Sequence, residues 1–270
     1  MQIVADNLHV IHPTLAEAVK TMDPEPIQHW VRRCRQAGAD AIDINSGPLT
    51  NRPRERFAFL VKTVQEVCSL PLVLDTTNPL ALDAGLAVCS RPSIINGFSL
   101  EPHKLERILP LAEKYETDII GYLIGPKSEV PVEPDEIMAL AVELFDAYTA
   151  GGLNPDRLII DPVVAPLSWQ DGLKHNRALL TTIRSLPDLL GTPVRTIAGL
   201  SNLVSGPYDP AYKITLQQAF LPMLAAAGLD MVLINMFHAP VVQTARACTG
   251  LLGDTIFSWE QITGPERIDG

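Results

Sequence analysis

Polar side chains, mostly aspartate and asparagine, stand where short apolar runs of this sequence end. They are Asp43, Asn45, Asp75, Asn96, Asp161, Ser201, Asn202 and Asn235. A carboxylate only accepts hydrogen bonds, whereas an asparagine amide both donates and accepts them. Two carboxylates and an amide can therefore satisfy the 2-amino-4-oxo pyrimidine edge of a flat heterocycle such as a pterin. Leaving one such group unpaired costs about 1–3 kcal/mol, which would make the selection of the ligand sharp.

Lysine and arginine are nearly missing from the same positions. Without a lysine at the end of a run, an aldolase that forms a Schiff base is not expected. The last two runs lack a glycine-rich phosphate loop, which argues against a phosphorylated substrate. We expect no tightly bound metal, because the aspartates have no His or Glu at ligand spacing. Magnesium, which needs only one or two carboxylates, stays an open alternative.

Ordinary turns and helix caps are the alternative explanation for part of this set. Such roles fit Asp43, Asn78, Asn96, Asp161 and Asn202. Asn78, for example, stands directly before Pro79, an arrangement typical of the N-terminus of a helix.

Eight apolar runs rich in Val, Ile and Leu are spaced along the whole chain. They cover residues 2–5, 41–44, 72–75, 93–96, 118–124, 157–161, 194–199 and 230–235. Continuous apolar runs, rather than strict alternation, are typical of strands buried on both faces of a parallel sheet. We therefore interpret the eight runs as parallel strands.

Amphipathic segments fill the intervals between these strands. The predicted helices cover about 26–37, 53–69, 79–89, 103–115, 134–150, 174–186, 214–227 and 239–252. Asp23 precedes a proline and is a candidate N-cap for the first of them. Gly38 and Gly228 are predicted to end two helices, each just before a strand.

Eight strands that are each followed by a helix predict a (β/α)8 TIM barrel of the α/β class. We expect one domain over residues 1–270, with a tail from about residue 254. A doubly wound open sheet is the alternative, but no GxGxxG follows the first run. In a barrel the active site lies at the carboxyl ends of the strands, where the polar residues stand.

Composition excludes several classes of protein. The chain has 270 residues, 47% of them apolar and 19% charged, with a formal net charge of −10. This acidity argues against binding to nucleic acid or an anionic membrane. No apolar run approaches the roughly 20 residues of a membrane span, and the N-terminus lacks a secretory signal. The four cysteines form no CxxC pair and all fall in predicted helices, so we expect buried free thiols and a cytoplasmic protein.

The polar strand ends, taken in order, resemble those of a known enzyme family. The segments that carry the resemblance are DPEPIQHWVRRCRQAGADAIDINSGP, LPLVLDTTNP, IINGFS, LIIDPVV and IAGLSN. They are similar to the pterin-binding methyltransferases that move a methyl group between methyltetrahydrofolate and a corrinoid protein. The resemblance runs from the first strand to about residue 252. It implies a TIM barrel, a homodimer, a tetrahydrofolate substrate and a corrinoid (cobalamin) that a partner protein supplies.

The resemblance also implies a role for individual residues. Asp75, Asn96 and Asp161 would hold the pyrimidine edge of the pterin. Asn202 would be the catalytic residue, because it would reach N5 of the folate, the atom that bears the methyl group. The supporting positions would be Asp43, Asn45, Ser201 and Asn235, with the first two shaping the floor of the site.

Three features depart from the family pattern. The first strand ends in ADNL (residues 5–8) instead of a Gly-Glu-Arg-like segment, and His9 and His12 follow it. Such histidines could contact the folate or help with protons, although loop roles are commoner. The loop 205–213 after the seventh strand is longer than expected and could set access or partner choice.

Two other functions stay open. Dihydropteroate synthase shares the barrel and the pterin site, but it needs basic residues late in the barrel, and the last strand here ends INMFHAP without arginine. A non-catalytic folate-binding subunit would keep the pterin residues without turning over.

Overall fold

The computed structural model of the chain describes residues 1–253 and residue 259. Eight strands form a closed barrel in the order β1 to β8. They are β1 (Gln2–His9), β2 (Ala41–Asn45), β3 (Leu72–Asp75), β4 (Ser93–Phe98), β5 (Asp118–Tyr122), β6 (Leu158–Asp161), β7 (Arg195–Gly199) and β8 (Met231–Ile234). All neighbouring strands are parallel, and β8 pairs with β1. The predicted (β/α)8 barrel is therefore confirmed, and the open-sheet alternative is wrong.

Ten α-helices surround the barrel in the described residues. They are α1 (Pro13–Thr21), α2 (Pro24–Gln36), α3 (Pro53–Gln65), α4 (Pro79–Val88), α5 (Pro102–Arg107), α6 (Leu109–Tyr115), α7 (Pro134–Ala150), α8 (Gly172–Leu190), α9 (Pro210–Ala226) and α10 (Ala239–Leu252). None of these helices is long and apolar enough to cross a membrane. The tail expected from about residue 254 lies outside the described residues, apart from residue 259.

The predicted helix stops and starts are confirmed where local chemistry dictates them. The backbone N–H of Glu25 donates to the Asp23 side chain at 3.1 Å, which caps α2. Gly38 and Gly228 have φ of 85° and 101°, a backbone conformation that favours glycine. Asn78 accepts from the N–H of Leu80 at 3.0 Å, so its helix-cap role is real.

Three local features differ from what the sequence predicts. The helix expected over 103–115 is two helices, because Pro110 has no N–H to continue the ladder of α5 into α6. Helix α1, only nine residues long, was not predicted. Cys68 and Cys89 were placed in helices, but α3 ends at Gln65 and α4 at Val88, so both lie just beyond a helix end. All four cysteines are free; Cys89 is partly exposed and the other three are buried.

The barrel interior is filled by an apolar plug that takes one side chain from each strand. The plug consists of Val4, Ala41, Val73, Ile94, Ile120, Ile159, Ile197 and Met231. Each of these side chains is at most 7% exposed. The plug is separate from the larger core between strands and helices, and it closes the barrel beneath the strand ends.

Helices α3 and α4 pack closely because Gly85 of α4 has no side chain. A Cβ built at Gly85 would lie 2.5 Å from Cδ1 of Phe57, a fully buried ring of α3. This contact fixes the two helices that flank β3, and it therefore supports the strand that carries Asp75.

Candidate active site

A ring of inward-facing positions lies directly above the apolar plug. Side chains two residues apart on a strand point to the same face, so the ring follows from the plug by a step of two residues. Its members are Asp6, Asp43, Asp75, Asn96, Tyr122, Asp161, Gly199 and Leu233. Strand register agrees, because Asp75 pairs with Asn96 and Tyr122 pairs with Asp161. The predicted residues Asp43, Asp75, Asn96 and Asp161 are thus brought together at the mouth of the barrel.

Hydrogen bonds hold the β2, β4 and β5 members of the ring in place. Asn96 donates from Nδ2 to Oδ1 of Asp43 at 3.2 Å. The hydroxyl of Tyr122 donates to Oδ1 of Asn96. Because Asp43 and Tyr122 bond opposite ends of the same amide, the orientation of the Asn96 side chain is set before any ligand arrives.

Asp75 is oriented from the neighbouring strand. Asn45 donates from Nδ2 to the Asp75 carboxylate, and its own Oδ1 accepts from the N–H of Gly47 at 3.0 Å. The structure therefore places Asp43 and Asn45 as hydrogen-bond partners of Asn96 and Asp75. That placement fits the supporting role the sequence predicts for them.

Asp161 combines a turn with a free acceptor. The N–H of Val163 donates to Oδ1 of Asp161 at 2.8 Å, so the turn considered for this residue does form. The side chain is only 7% exposed. One carboxyl oxygen serves the turn, and the carboxyl has a second oxygen with which to accept from a ligand.

Asn202 lies at the mouth on the β7 side, in a 3-10 helix that spans Leu200–Val204. It is exposed, and its Nδ2 is 3.2 Å from the point where a Cβ at Gly199 would lie. Because Gly199 has no side chain, this ring position is open, and the Asn202 amide lies beside the open space. Asn202 is therefore in a different layer from the buried ring residues, closer to solvent.

The remaining predicted residues, Ser201 and Asn235, bond to β1 or to the end of β8. Ser201 donates from Oγ to Oδ2 of Asp6. Asn7 donates from Nδ2 to Oδ1 of Asn235 at 2.7 Å, and this oxygen also accepts from the N–H of Phe237. Asn235 thus fastens the ends of β1 and β8 together.

Burial raises the pKa of every carboxyl group in the ring. The pKa values of Asp75 and Asp161 rise from 3.8 to about 7, and burial is the largest cause in both cases. The pKa of Asp43 is raised well above its ordinary value by burial and by the charge of Asp75. Burial also raises the pKa of Asp6. A ligand that offers N–H donors would supply the partners that ionised carboxylates need here.

Three residues of the site were not predicted as site residues. Asp6 could have been found by the step of two residues from Val4, but β1 contains a register shift after Ala5 that obscures the pattern. Tyr122 ends β5, but a tyrosine falls outside the aspartate and asparagine pattern on which the prediction rests. Lys104, which pairs with Glu101 at 2.7 Å, lies near enough to lower the pKa of Asp75. A lysine therefore lies near the site, although the strand ends themselves carry no lysine or arginine.

His9 is the last residue of β1, and His12 lies just beyond the strand. His9 accepts at Nδ1 from the N–H of Ile11 at 2.9 Å. The ring of His12 packs against Trp30 with centroids 4.5 Å apart. The loop predicted over 205–213 is shorter than expected, because α9 already begins at Pro210. Tyr208 of this loop and Lys213 of α9 line an apolar groove of about 230 Å³ together with Leu203, the residue after Asn202.

Residues 15–235 match the profile of the family described as pterin binding enzyme. The chain belongs to this family. In the described part of the chain, no group of three or more His, Cys, Asp or Glu side chains is arranged to hold a metal ion.

Two curated relatives match this chain over different shares of their own length. A methylcorrinoid:tetrahydrofolate methyltransferase from Eubacterium limosum is 26% identical over 259 residues, which are 94% of this chain and 92% of the relative. A methionine synthase from Mycobacterium tuberculosis is 24% identical over 179 residues, 62% of this chain but only 14% of that protein.

Solved structures of dihydropteroate synthases have the same fold. The Xanthomonas albilineans enzyme in complex with indole-2-carboxylic acid and 6-chloroguanine has a TM-score of 0.66 and 19% identity, covering 94% of both chains. The Yersinia pestis enzyme with a pterine-sulfa conjugate has a TM-score of 0.68 and 17% identity, covering 93% of this chain and 92% of that one. At such identities the likeness shows the fold alone.

Proposed function

We propose that this protein is a methyltransferase that moves a methyl group between N5 of tetrahydrofolate and the cobalt of a corrinoid carried by a partner protein. The observation that carries the proposal is the ring of Asp75, Asn96 and Asp161 with Asn202 at its rim. The similarity to the Eubacterium limosum methyltransferase over 94% of the chain supports it.

The pterin ring would lie on the polar ring with its pyrimidine edge inward. Its 2-amino group and N3–H are donors, for which Asp75 and Asp161 are acceptors, while Asn96 can both donate to and accept from the same edge. Because Asn45 and Asp43 already orient two of these side chains, little side-chain freedom would be lost on binding.

The chemical difficulty of the reaction lies at N5. When the C–N5 bond breaks, the leaving nitrogen must be protonated or strongly hydrogen-bonded. The exposed amide of Asn202 can donate to N5, and a hydrogen bond that strengthens in the transition state accelerates transfer by differential binding. The reduced corrinoid is the other substrate, and it would approach from solvent on the side of Asn202.

A spectral assay tests this function. The protein is mixed under anaerobic conditions with methyltetrahydrofolate and free Co(I) cobalamin, and the absorbance of methylcobalamin is followed. We expect methylcobalamin to form with the native protein and much more slowly with Asn202→Ala. The matched control is Asn154→Ala, an exposed asparagine that precedes β6 at the opposite end of the barrel.

Two outcomes would point elsewhere. Folate binding without transfer to free or protein-bound corrinoid would favour a non-catalytic folate-binding subunit. Pyrophosphate release from pterin pyrophosphate and p-aminobenzoate would identify a dihydropteroate synthase. Against the latter, which needs basic residues late in the barrel, the ring positions of β7 and β8 are Gly199 and Leu233.

A single domain, the homodimer, the corrinoid protein partner and the cytoplasmic location stay predictions. Sedimentation of the purified protein would measure the oligomeric state. Co-purification of a corrinoid protein with this protein, loaded with folate, would test the predicted partner.

A further inference from the structure

Asp6 is a carboxyl group of the ring that has no part in pyrimidine recognition. It lies on β1, two residues beyond Val4 of the plug, and its Oδ2 accepts a hydrogen bond from Oγ of Ser201. Ser201 directly precedes Asn202 in the same 3-10 helix. The residue whose hydroxyl bonds to Asp6 is therefore the chain neighbour of the asparagine that we assign to N5.

Charged and titratable groups from three other elements face Asp6. His238, after β8, is close enough to lower its pKa. The charge of Asp6 in turn acts on Asp43 of β2 and on Cys34 of α2. Nδ1 of His238 is buried without a hydrogen-bond partner among the described residues. Burial is the largest influence on Asp6 and raises its pKa, so this carboxyl keeps a proton at a higher pH than an exposed aspartate.

We propose that Asp6 and Ser201 form a relay that exchanges a proton with N5 of the folate. This inference rests on the proposed function. Asn202 is a neutral amide, so it can donate a hydrogen bond to N5 but cannot protonate it. The relay supplies the acid that the sequence did not reveal. Ser201 is the group that contacts N5, and Asp6 acts through it.

The proton and electron balance is complete without a further reactant. In transfer from folate, the cobalt supplies the electron pair of its new bond to the methyl group, and the pair of the broken C–N5 bond stays on nitrogen. N5 takes the hydroxyl proton of Ser201 while Ser201 takes the proton of Asp6, which is left as a carboxylate. In the opposite direction, the N5 proton passes through Ser201 to the Asp6 carboxylate.

Asp6→Asn separates proton exchange from structure. The asparagine Oδ1 still accepts from Ser201, but the amide cannot carry the proton. Methyl transfer from methyltetrahydrofolate to free Co(I) cobalamin is measured in single turnovers across the range from about pH 5.5 to about pH 8.5, with the folate Kd measured by calorimetry. We expect the rate to fall about 100-fold and its pH dependence to flatten, while the Kd changes less than about twofold.

Three further variants complete the test. Ser201→Ala should lower the transfer rate by a similar factor. Asp6→Glu should restore part of the rate and displace its pH profile. The control is Asp188→Asn, at an exposed carboxylate of α8, and it should change neither the rate nor the profile. Should Asp6→Asn fail to fold, Ser201→Ala and Asp6→Glu still decide the matter by their rates and pH profiles. An unchanged rate and pH profile in Asp6→Asn or in Ser201→Ala would overturn the relay. Absence of transfer by the native protein would instead overturn the proposed function, and the relay with it.

Discussion

Replacing Asp161 by asparagine should stabilise the free protein while weakening its binding of folate. The side chain is 7% exposed, and its Oδ1 accepts from the N–H of Val163 at 2.8 Å. Asparagine has nearly the same volume, and its Oδ1 can keep that turn. The substitution therefore removes the buried negative charge and leaves the local structure in place.

The magnitude follows from the pKa of the native carboxyl. Burial raises it from 3.8 to about 7. A raised pKa in the folded state means that stability is lost as the pH rises through this range, because the folded protein must ionise a buried group. A rise of about 3 pKa units corresponds to a cost on the order of 4 kcal/mol above about pH 7 and almost none below about pH 4.

Urea unfolding followed by circular dichroism at about pH 8 and about pH 4 measures this effect. We expect Asp161→Asn to raise the free energy of unfolding by up to about 4 kcal/mol at the higher pH and by little at the lower one. Folate affinity by calorimetry should fall about 5- to 150-fold, since one ligand donor would lose its acceptor. The exposed control Asp188→Asn should show neither change. A gain of equal size at both pH values, or no gain, would refute the reasoning from charge burial.

Three other changes should separate binding, transfer and packing. Asn202→Ala should lower the methyl-transfer rate much more than the folate affinity, and equal effects in single-turnover and binding measurements would contradict its assignment to N5. Asp75→Ala should weaken folate binding in isothermal calorimetry, and unchanged affinity would refute its role as an anchor. Gly85→Ala should lower the free energy of unfolding by about 1–3 kcal/mol, because the new Cβ would lie 2.5 Å from Phe57. A urea midpoint equal to that of the native protein would show that the Phe57 ring moves aside freely.

Strand positions were predictable from the sequence because buried parallel strands are continuous apolar runs. All eight predicted strands are present, and the barrel follows from their alternation with helices. Helix details were less predictable. The nine residues of α1 are too few for a clear amphipathic period, and the break between α5 and α6 depends on one proline.

The candidate site was predictable to the extent that it lies on strands. Asp43, Asp75, Asn96 and Asp161 reach one ring because the ends of parallel strands converge. Lys104 was out of reach of this reasoning, since it lies on a helix and approaches Asp75 only through the tertiary fold. The link between Ser201 and Asp6 joins residues 195 positions apart, which no local pattern could indicate.

The apolar plug of the barrel determines the order in which the substrates of the proposed reaction would bind. Because the plug closes the barrel from below, folate and corrinoid must use the same opening, and the pterin binds at its deepest point. A docked corrinoid protein would cover that opening. Folate would therefore enter first and leave last, and steady-state kinetics would follow a compulsory-order ternary mechanism. Excess corrinoid protein would then trap folate inside and slow its release.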